Sequence, residues 1–240
     1  MKMMIATVLA FGGAAVGSGA KPGKDLANLS CGRPQAQGTN SFAVILLELR
    51  TEHLHEPLGI DRSSPRLSWQ LEWLVNPPDH GARGLRQTSY DVKVCRLKAS
   101  TCTAVVWESG VVHTTETVVT YSGQPLLSAA TYLWSVTAVG VTASGAAATA
   151  TACSKFTMGL LGPSPFSAPF IGMATSDENA FPWFRSSFRL PPAPSSPASA
   201  LLFVASIGYH EAYVNGQRVT DTKVVLAPSV SFLPKRVVHP

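Results

Sequence analysis

The sequence predicts an all-β protein: one β-sandwich of about seven short strands, followed by a second, incomplete β region. Composition points first, with 45% hydrophobic and 14% charged residues, 19 glycines and 18 prolines. Val, Thr and Ser also recur throughout, a mixture that suits short strands joined by turns. The second observation is periodicity: Leu67, Trp69, Leu71 and Trp73 alternate with polar neighbours, and Tyr132, Trp134, Val136 and Ala138 alternate with Leu133, Ser135 and Thr137; a period of two is the mark of a strand with one buried face. The third is punctuation by turn residues, clearest in "YHEAYVNGQRVTD" (Tyr209 to Asp221). Its Asn215-Gly216 pair suits a type I′ hairpin, in which both central residues take φ > 0.

The elements follow in chain order. Residues 1–20, "MKMMIATVLAFGGAAVGSGA", carry Lys2, an apolar run from Met4 to about Val16, and small residues at Ser18 and Ala20. A run of that length is too short to span a bilayer, and its flanks match a cleaved secretion signal, so a secreted, extracellular location is expected. Residues 21–42 lack periodicity and read as a linker or arm. Residues 43–158 hold the predicted sandwich: "FAVILLELRTEHL", "PRLSWQLEWLV", "TSYDVKVCRL", "TAVVWESGVV" entering a Glu-Ser-Gly turn, "ETVVTYSG", "TYLWSVTAVG" and "ATATACSKFTM". Strands at this spacing with turns between them are the pattern of a β-sandwich. Tyr132 stands at a strand entrance, where a tyrosine hydroxyl can bond to backbone upstream near Leu127. Trp69 and Trp134 sit in period-two runs and are expected in the core rather than as exposed sugar platforms.

"MGLLGPSPFSAPF" (Met158 to Phe170), dense in Gly and Pro, marks a boundary. Beyond it a strand is expected from about Trp183 to Leu190, then a Pro/Ser loop, a buried strand in "ALLFVASIG" and the Asn215-Gly216 hairpin. Four or five strands would leave an unpaired edge, so the second region, 159–240, reads as unfinished.

Charge and cysteines bound the function. The formal charge is +5 with its basic residues scattered, so neither a nucleic-acid nor a membrane partner is expected. Four cysteines, Cys31, Cys95, Cys102 and Cys153, are an even number in a chain read as secreted, which suggests disulfides. Cys95 and Cys102 flank a plausible hairpin tip and could meet across two strands, which would leave Cys31 for Cys153; three pairings remain open on sequence alone. Zinc is less favoured, because no C-x-x-C and no ligand-spaced His pair is present.

Residues able to do chemistry are few. Asp177 and Glu178 are adjacent and would point apart on a strand. Glu52, His53, His55, Glu56 and Asp61 invite a metal reading, but Pro57 and Gly59 make that segment a bend. No nucleophile elbow, phosphate loop, dinucleotide fingerprint or triad spacing appears. The expectation is therefore no catalytic, no cofactor-binding and no metal-binding residue in this chain. Tyr209, Glu211 and Arg218 of the hairpin would serve binding only as an exposed aromatic beside polar groups; architecture is the preferred role.

The segment "LRTEHLHEPLGIDRSSPRLSWQL" (Leu49 to Leu71) resembles the opening of bacterial-type α-L-rhamnosidases, glycoside hydrolase family 78. "RGLRQTSYDVKV", "VWESGVV", "YLWSVTA", "FTMGLLGPSPFSAPFIG", "FRSSFRL", "GYHEAYVNGQRVTD" and "LAPSVSFLPKRVVH" follow in that family's order. The sequence departs from the family at "TATACSKF" and at "LAPSVSFLPKRV". The resemblance implies a fibronectin type III/immunoglobulin-like β-sandwich, then a truncated jelly-roll domain of the rhamnosidase N-terminal type. It also implies a helical (α/α)6 barrel further on, which hydrolyses terminal α-L-rhamnose with inversion through two carboxylates. Nothing in this sequence corresponds to that barrel, so its carboxylates have no positions here. The expected role is scaffolding of the barrel, with a rhamnose-containing glycan as partner; the alternative is a free-standing secreted binding or adhesion module.

Overall fold

A computed structural model describes residues 35–37, 43–75, 84–98, 101–143, 145–162, 171–172, 183–188, 200–204, 211–218 and 236–237. The expected signal segment, Cys31, Asp177, Glu178, Tyr209 and His210 lie outside these residues. The chain divides into two compact units between Met158 and Gly159. All regular structure among the described residues is β.

The described residues of the first unit form nine strands: β1 (Gln35–Gln37), β2 (Ala43–Thr51), β3 (Leu58–Ile60), β4 (Arg66–Val75), β5 (Arg86–Lys98), β6 (Thr101–Val112), β7 (Val118–Thr120), β8 (Thr131–Val141) and β9 (Ala147–Met158). They form a sheet in the order β1-β9-β8-β5-β6, with β3 parallel to the end of β9, and a second sheet in the order β2-β4-β7. This is an immunoglobulin-like sandwich. Two expectations need correction. The arm 21–42 is not wholly irregular, because Gln35–Gln37 pair antiparallel with Thr149–Thr151 and cover part of the outer edge of β9; three polar-flanked residues carry no periodic signal, and the pairing depends on that edge being free. The Glu108-Ser109-Gly110 stretch is also not a turn. Strand β6 runs through it on a bulge, with Gly110 at φ 63° supplying the left-handed residue.

The core lies between the two sheets. Trp69 of β4 meets the ring of Tyr90 edge-on at 5.1 Å and lies 6.5 Å from that of Trp134. Both tryptophans are buried, with Val44, Leu46, Leu67, Val92, Val94 and Val136 around them. Period two therefore places the inward faces correctly, while one buried polar residue escapes it. Gln87 is 3% exposed. A register shift between Gln87 and Ser89 puts it on the same face as Tyr90, three residues away. Its amide accepts the Trp69 indole N–H at 2.8 Å and donates to the carbonyls of Thr114 and Glu116 at 3.4 and 2.5 Å.

The tyrosine at the entrance of β8 behaves as expected. The Tyr132 hydroxyl accepts the Leu127 backbone N–H at 2.9 Å, and its ring stacks on Phe156 at 5.5 Å. Nearby, the buried Tyr121 hydroxyl donates to the Gln124 carbonyl at 2.5 Å, and burial pushes its pKa up to about 12. The Cys95–Cys102 bond closes the β5–β6 hairpin with a Cα–Cα distance of 5.8 Å. Cys153 of β9 is also disulfide-bonded.

The second unit is sparser among the described residues. Strand β10 (Ala200–Leu201) pairs with β13 (Arg236–Val237), and β11 (Tyr213–Val214) pairs with β12 (Gln217–Arg218). Phe203 and Val204, just past β10, are buried. The expected strand beginning at Trp183 is not formed: residues 183–188 have no ladder partner. Trp183 is 89% exposed, so the apolar spelling of this segment does not translate into burial.

Two substitutions test this account. Tyr132→Phe leaves the Leu127 N–H without its partner, and urea unfolding of the purified chain is expected to show a loss of about 1–3 kcal/mol. Equal stability would mean the corner is decorative. A Cβ on Gly123 would lie 2.4 Å from the Trp107 Cβ and 2.6 Å from the Val106 carbonyl oxygen. Gly123→Ala is therefore expected to lower stability by about 1–3 kcal/mol through overpacking; an unchanged midpoint would contradict that close approach.

Candidate functional site

Three surface features carry the polar chemistry of the described residues. The first is the Thr51–Ile60 segment. Thr51 and Leu54 exchange backbone hydrogen bonds at 2.9 and 3.0 Å around Glu52 (φ 49°) and His53 (φ 64°). This is a two-residue turn with both central φ positive, the geometry that ordinarily selects Asn-Gly. Here side chains hold it. Glu52 accepts the Arg66 backbone N–H at 2.6 Å and its guanidinium at 2.8 Å, with Arg62 at 3.9 Å. Arg50 donates to the His53 carbonyl at 3.0 Å.

The same contacts account for the His/Glu cluster seen in the sequence. Glu48 is bonded by Arg50 and by His55, the latter at 3.0 Å, and Glu56 pairs with Lys155 at 3.0 Å. The carboxylates point to different cations rather than converging. No group of three or more potential ligands stands together among the described residues. For Glu52 the Arg66 hydrogen bond is the largest influence and holds the carboxyl below its usual range; burial opposes it, and the Arg66 backbone N–H and charge add to the lowering.

The second feature is the Asn215-Gly216 hairpin. Asn215 (φ 50°) and Gly216 (φ 77°) form the expected I′ turn. Tyr213 lies opposite Arg218, its hydroxyl donates to Glu211 at 2.7 Å, and Arg218 reaches the same carboxylate at 3.3 Å. All three are exposed. The trio closes on itself, as cross-strand pairs do in an architectural hairpin.

The third feature is a groove of about 460 Å³ lined by Gln70, Leu71, Glu72, Leu85, Arg86, Gln87, Thr115 and Thr117. It exists because β7 is short. Strand β7 pairs with β4 only over Arg66–Ser68, and the last link is the Trp69 N–H to the Thr117 carbonyl at 3.1 Å. Beyond Trp69 the chain on the β7 side splays away, held back by the Gln87 amide. The floor is apolar: Leu71 and Leu85 converge over Gly140, where a Cβ would meet them at 2.8 and 3.0 Å. None of the rim residues was singled out in the sequence, since they come from three segments and no periodicity joins them.

Comparison with known proteins shows what the chain is similar to. Residues 46–162 match the Rha78A-like, N-terminal immunoglobulin domain family, and residues 195–239 match the alpha-L-rhamnosidase N-terminal domain family. The chain is 38% identical over 121 residues to an alpha-L-rhamnosidase of Streptomyces avermitilis, covering 50% of this chain and 11% of that protein. The solved alpha-L-rhamnosidase of Dictyoglumus thermophilum aligns with a TM-score of 0.57 at 22% identity, over 80% of this chain and 23% of that one. A Streptomyces avermitilis alpha-L-rhamnosidase solved with L-rhamnose aligns at a TM-score of 0.46 and 26% identity, over 82% of this chain and 20% of that one. The chain thus spans less than a quarter of the length of each.

The Glu52 contacts generate a pH prediction. A carboxylate whose folded pKa lies below its unfolded value near 4.3 stabilises the fold above that value, and the contribution is lost as pH falls through the folded pKa. At pH 7, Glu52→Gln is expected to cost about 1–2 kcal/mol. The gap from wild type should close as pH drops from about 4.3 through the lower folded value. Parallel thermal-melting curves for the two proteins from pH 7 to pH 2.5 would show that Arg66 does not stabilise the ionised form.

Proposed function

We propose, on the premise that this chain is the N-terminal, non-catalytic region of the α-L-rhamnosidase family, that it acts as the β-sandwich scaffold of a secreted glycoside hydrolase. In this reading a helical barrel outside the present sequence cleaves terminal α-L-rhamnose. The observation that carries the proposal is the pairing of two family matches in series, an immunoglobulin domain at 46–162 and a rhamnosidase N-terminal domain at 195–239.

The site geometry supports it. Inverting hydrolysis needs an acid and a base facing each other across a substrate-sized gap. Among the described residues, Glu48, Glu52 and Glu56 are each bonded by a cation, and the groove that Glu72 lines holds Arg86 and no second carboxylate in its described lining. The strained 51–54 turn, braced by Arg66 and Arg50, is built as a rigid framework. The secretion signal expected at 1–20 and the Cys95–Cys102 disulfide suit an oxidising compartment, and a rhamnose-containing glycan is the partner that the family chemistry calls for.

The purified chain is expected to release no nitrophenol from p-nitrophenyl α-L-rhamnopyranoside. Turnover that disappears on substituting a single carboxylate of this chain would overturn the scaffold reading. A coding sequence downstream of Pro240 without helical repeats would count against the barrel.

A further inference from the structure

We propose that the groove between β4, the start of β5 and the β6–β7 connection is a binding subsite for a 6-deoxyhexose residue of the glycan. The choice of sugar rests on the proposed function; the site itself rests on geometry. Its volume of about 460 Å³ falls within the roughly 300–1,000 Å³ usual for small-ligand sites. The lining divides in two. Leu71 and Leu85 form an apolar floor, made continuous by the missing side chain at Gly140. Gln70, Glu72, Arg86, Thr115 and Thr117 form a polar rim.

Among the described residues, the rim is chemically uncommitted. Gln70, Glu72, Arg86 and Thr115 are exposed, and the side chains of Glu72 and Arg86 make no hydrogen bond or ion pair with another described residue. This sets them apart from Glu48, Glu52, Glu56 and Glu211, each of which already has a cation. A guanidinium offers only donors, a carboxylate only acceptors, and an amide both. Together they can bond a pair of adjacent hydroxyls, each of which donates and accepts. A 6-deoxyhexose also carries one methyl group, which the leucine floor can cover, whereas a C6 hydroxyl placed there would lose its water without a partner.

Position favours the same reading. Gln87 lies opposite Gly140, and Gly140 opposite Ala148. Ala148 is ten residues before Met158 on β9, roughly 33 Å along the strand. The groove thus lies at the end of the sandwich remote from Met158. Gln87 fixes the wall by bonds to the Trp69 indole and to the Thr114 and Glu116 carbonyls, so the rim is mounted on a braced base.

The test is an amide NMR titration of the full chain with methyl α-L-rhamnopyranoside. Saturable shifts at residues 70–72, 85–87 and 115–117 are expected, with a Kd on the order of 1 mM because no aromatic ring stacks on the sugar. Arg86→Ala and Glu72→Gln, both on exposed side chains, should each weaken binding at least fivefold with thermal stability unchanged. Methyl α-L-mannopyranoside, which differs only in its C6 hydroxyl, should bind at least threefold more weakly. The subsite is overturned by absence of shifts at 50 mM, by equal affinity in both variants, or by equal affinity for the mannoside. Shifts confined to the Tyr213–Arg218 hairpin would also overturn it while leaving the scaffold role intact, and a failed scaffold role shows separately as rhamnoside turnover.

Discussion

The first unit depends on one interaction above others: the Trp69 indole, inserted between the sheets and bonded to the buried Gln87 amide. Tryptophan supplies the largest apolar area a side chain can bury, but its N–H must be satisfied, or the burial costs about 1–3 kcal/mol. Gln87 resolves that conflict and, with its own two N–H groups, fastens the Thr114–Glu116 backbone. Trp134 shows the contrast, since its indole nitrogen is buried without a hydrogen-bond partner among the described residues. One tryptophan is thus tied into a polar network and the other is held by packing alone.

The same amide shapes the surface. Because Gln87 holds the β6–β7 connection where it does, β7 pairs with β4 for three residues and then ends, and the sandwich opens into the groove. Core and groove thus share one residue, Gln87. At the other end of the sandwich a different logic applies. The Thr51–Leu54 turn takes two positive φ values without glycine, a conformation costing about 1–3 kcal/mol per residue, and carboxylate–guanidinium pairs hold it there. The two ends are therefore unlike: one is rigid and internally neutralised, the other open, with Glu72 and Arg86 unpaired among the described residues.

Much of this was legible in the chain. Alternation identified β4 and β8 and their inward faces, because a period of two survives in any half-buried strand. Tyr132 announced its corner by its place at a strand entrance, and Asn215-Gly216 its turn, because both are local conformational demands. Cys95 and Cys102 were correctly suspected across a hairpin. The failures were of another kind. The Glu-Ser-Gly stretch has turn composition, yet pairing with β5 carries it through as a bulge. Trp183–Phe188 has strand composition, yet no neighbouring strand pairs with it.

By itself, the sequence determined the fold class, the inward faces of the main strands, the Asn215-Gly216 turn and the kinship, since each is encoded within a few consecutive residues. Only the tertiary structure decided that Gln87 faces the core, that Glu52, Glu56 and Glu48 separate onto different cations, and that Arg86, Glu72 and two threonines border one groove. Those facts depend on register shifts and on how far two sheets part, quantities set by packing between distant segments, which no local pattern records.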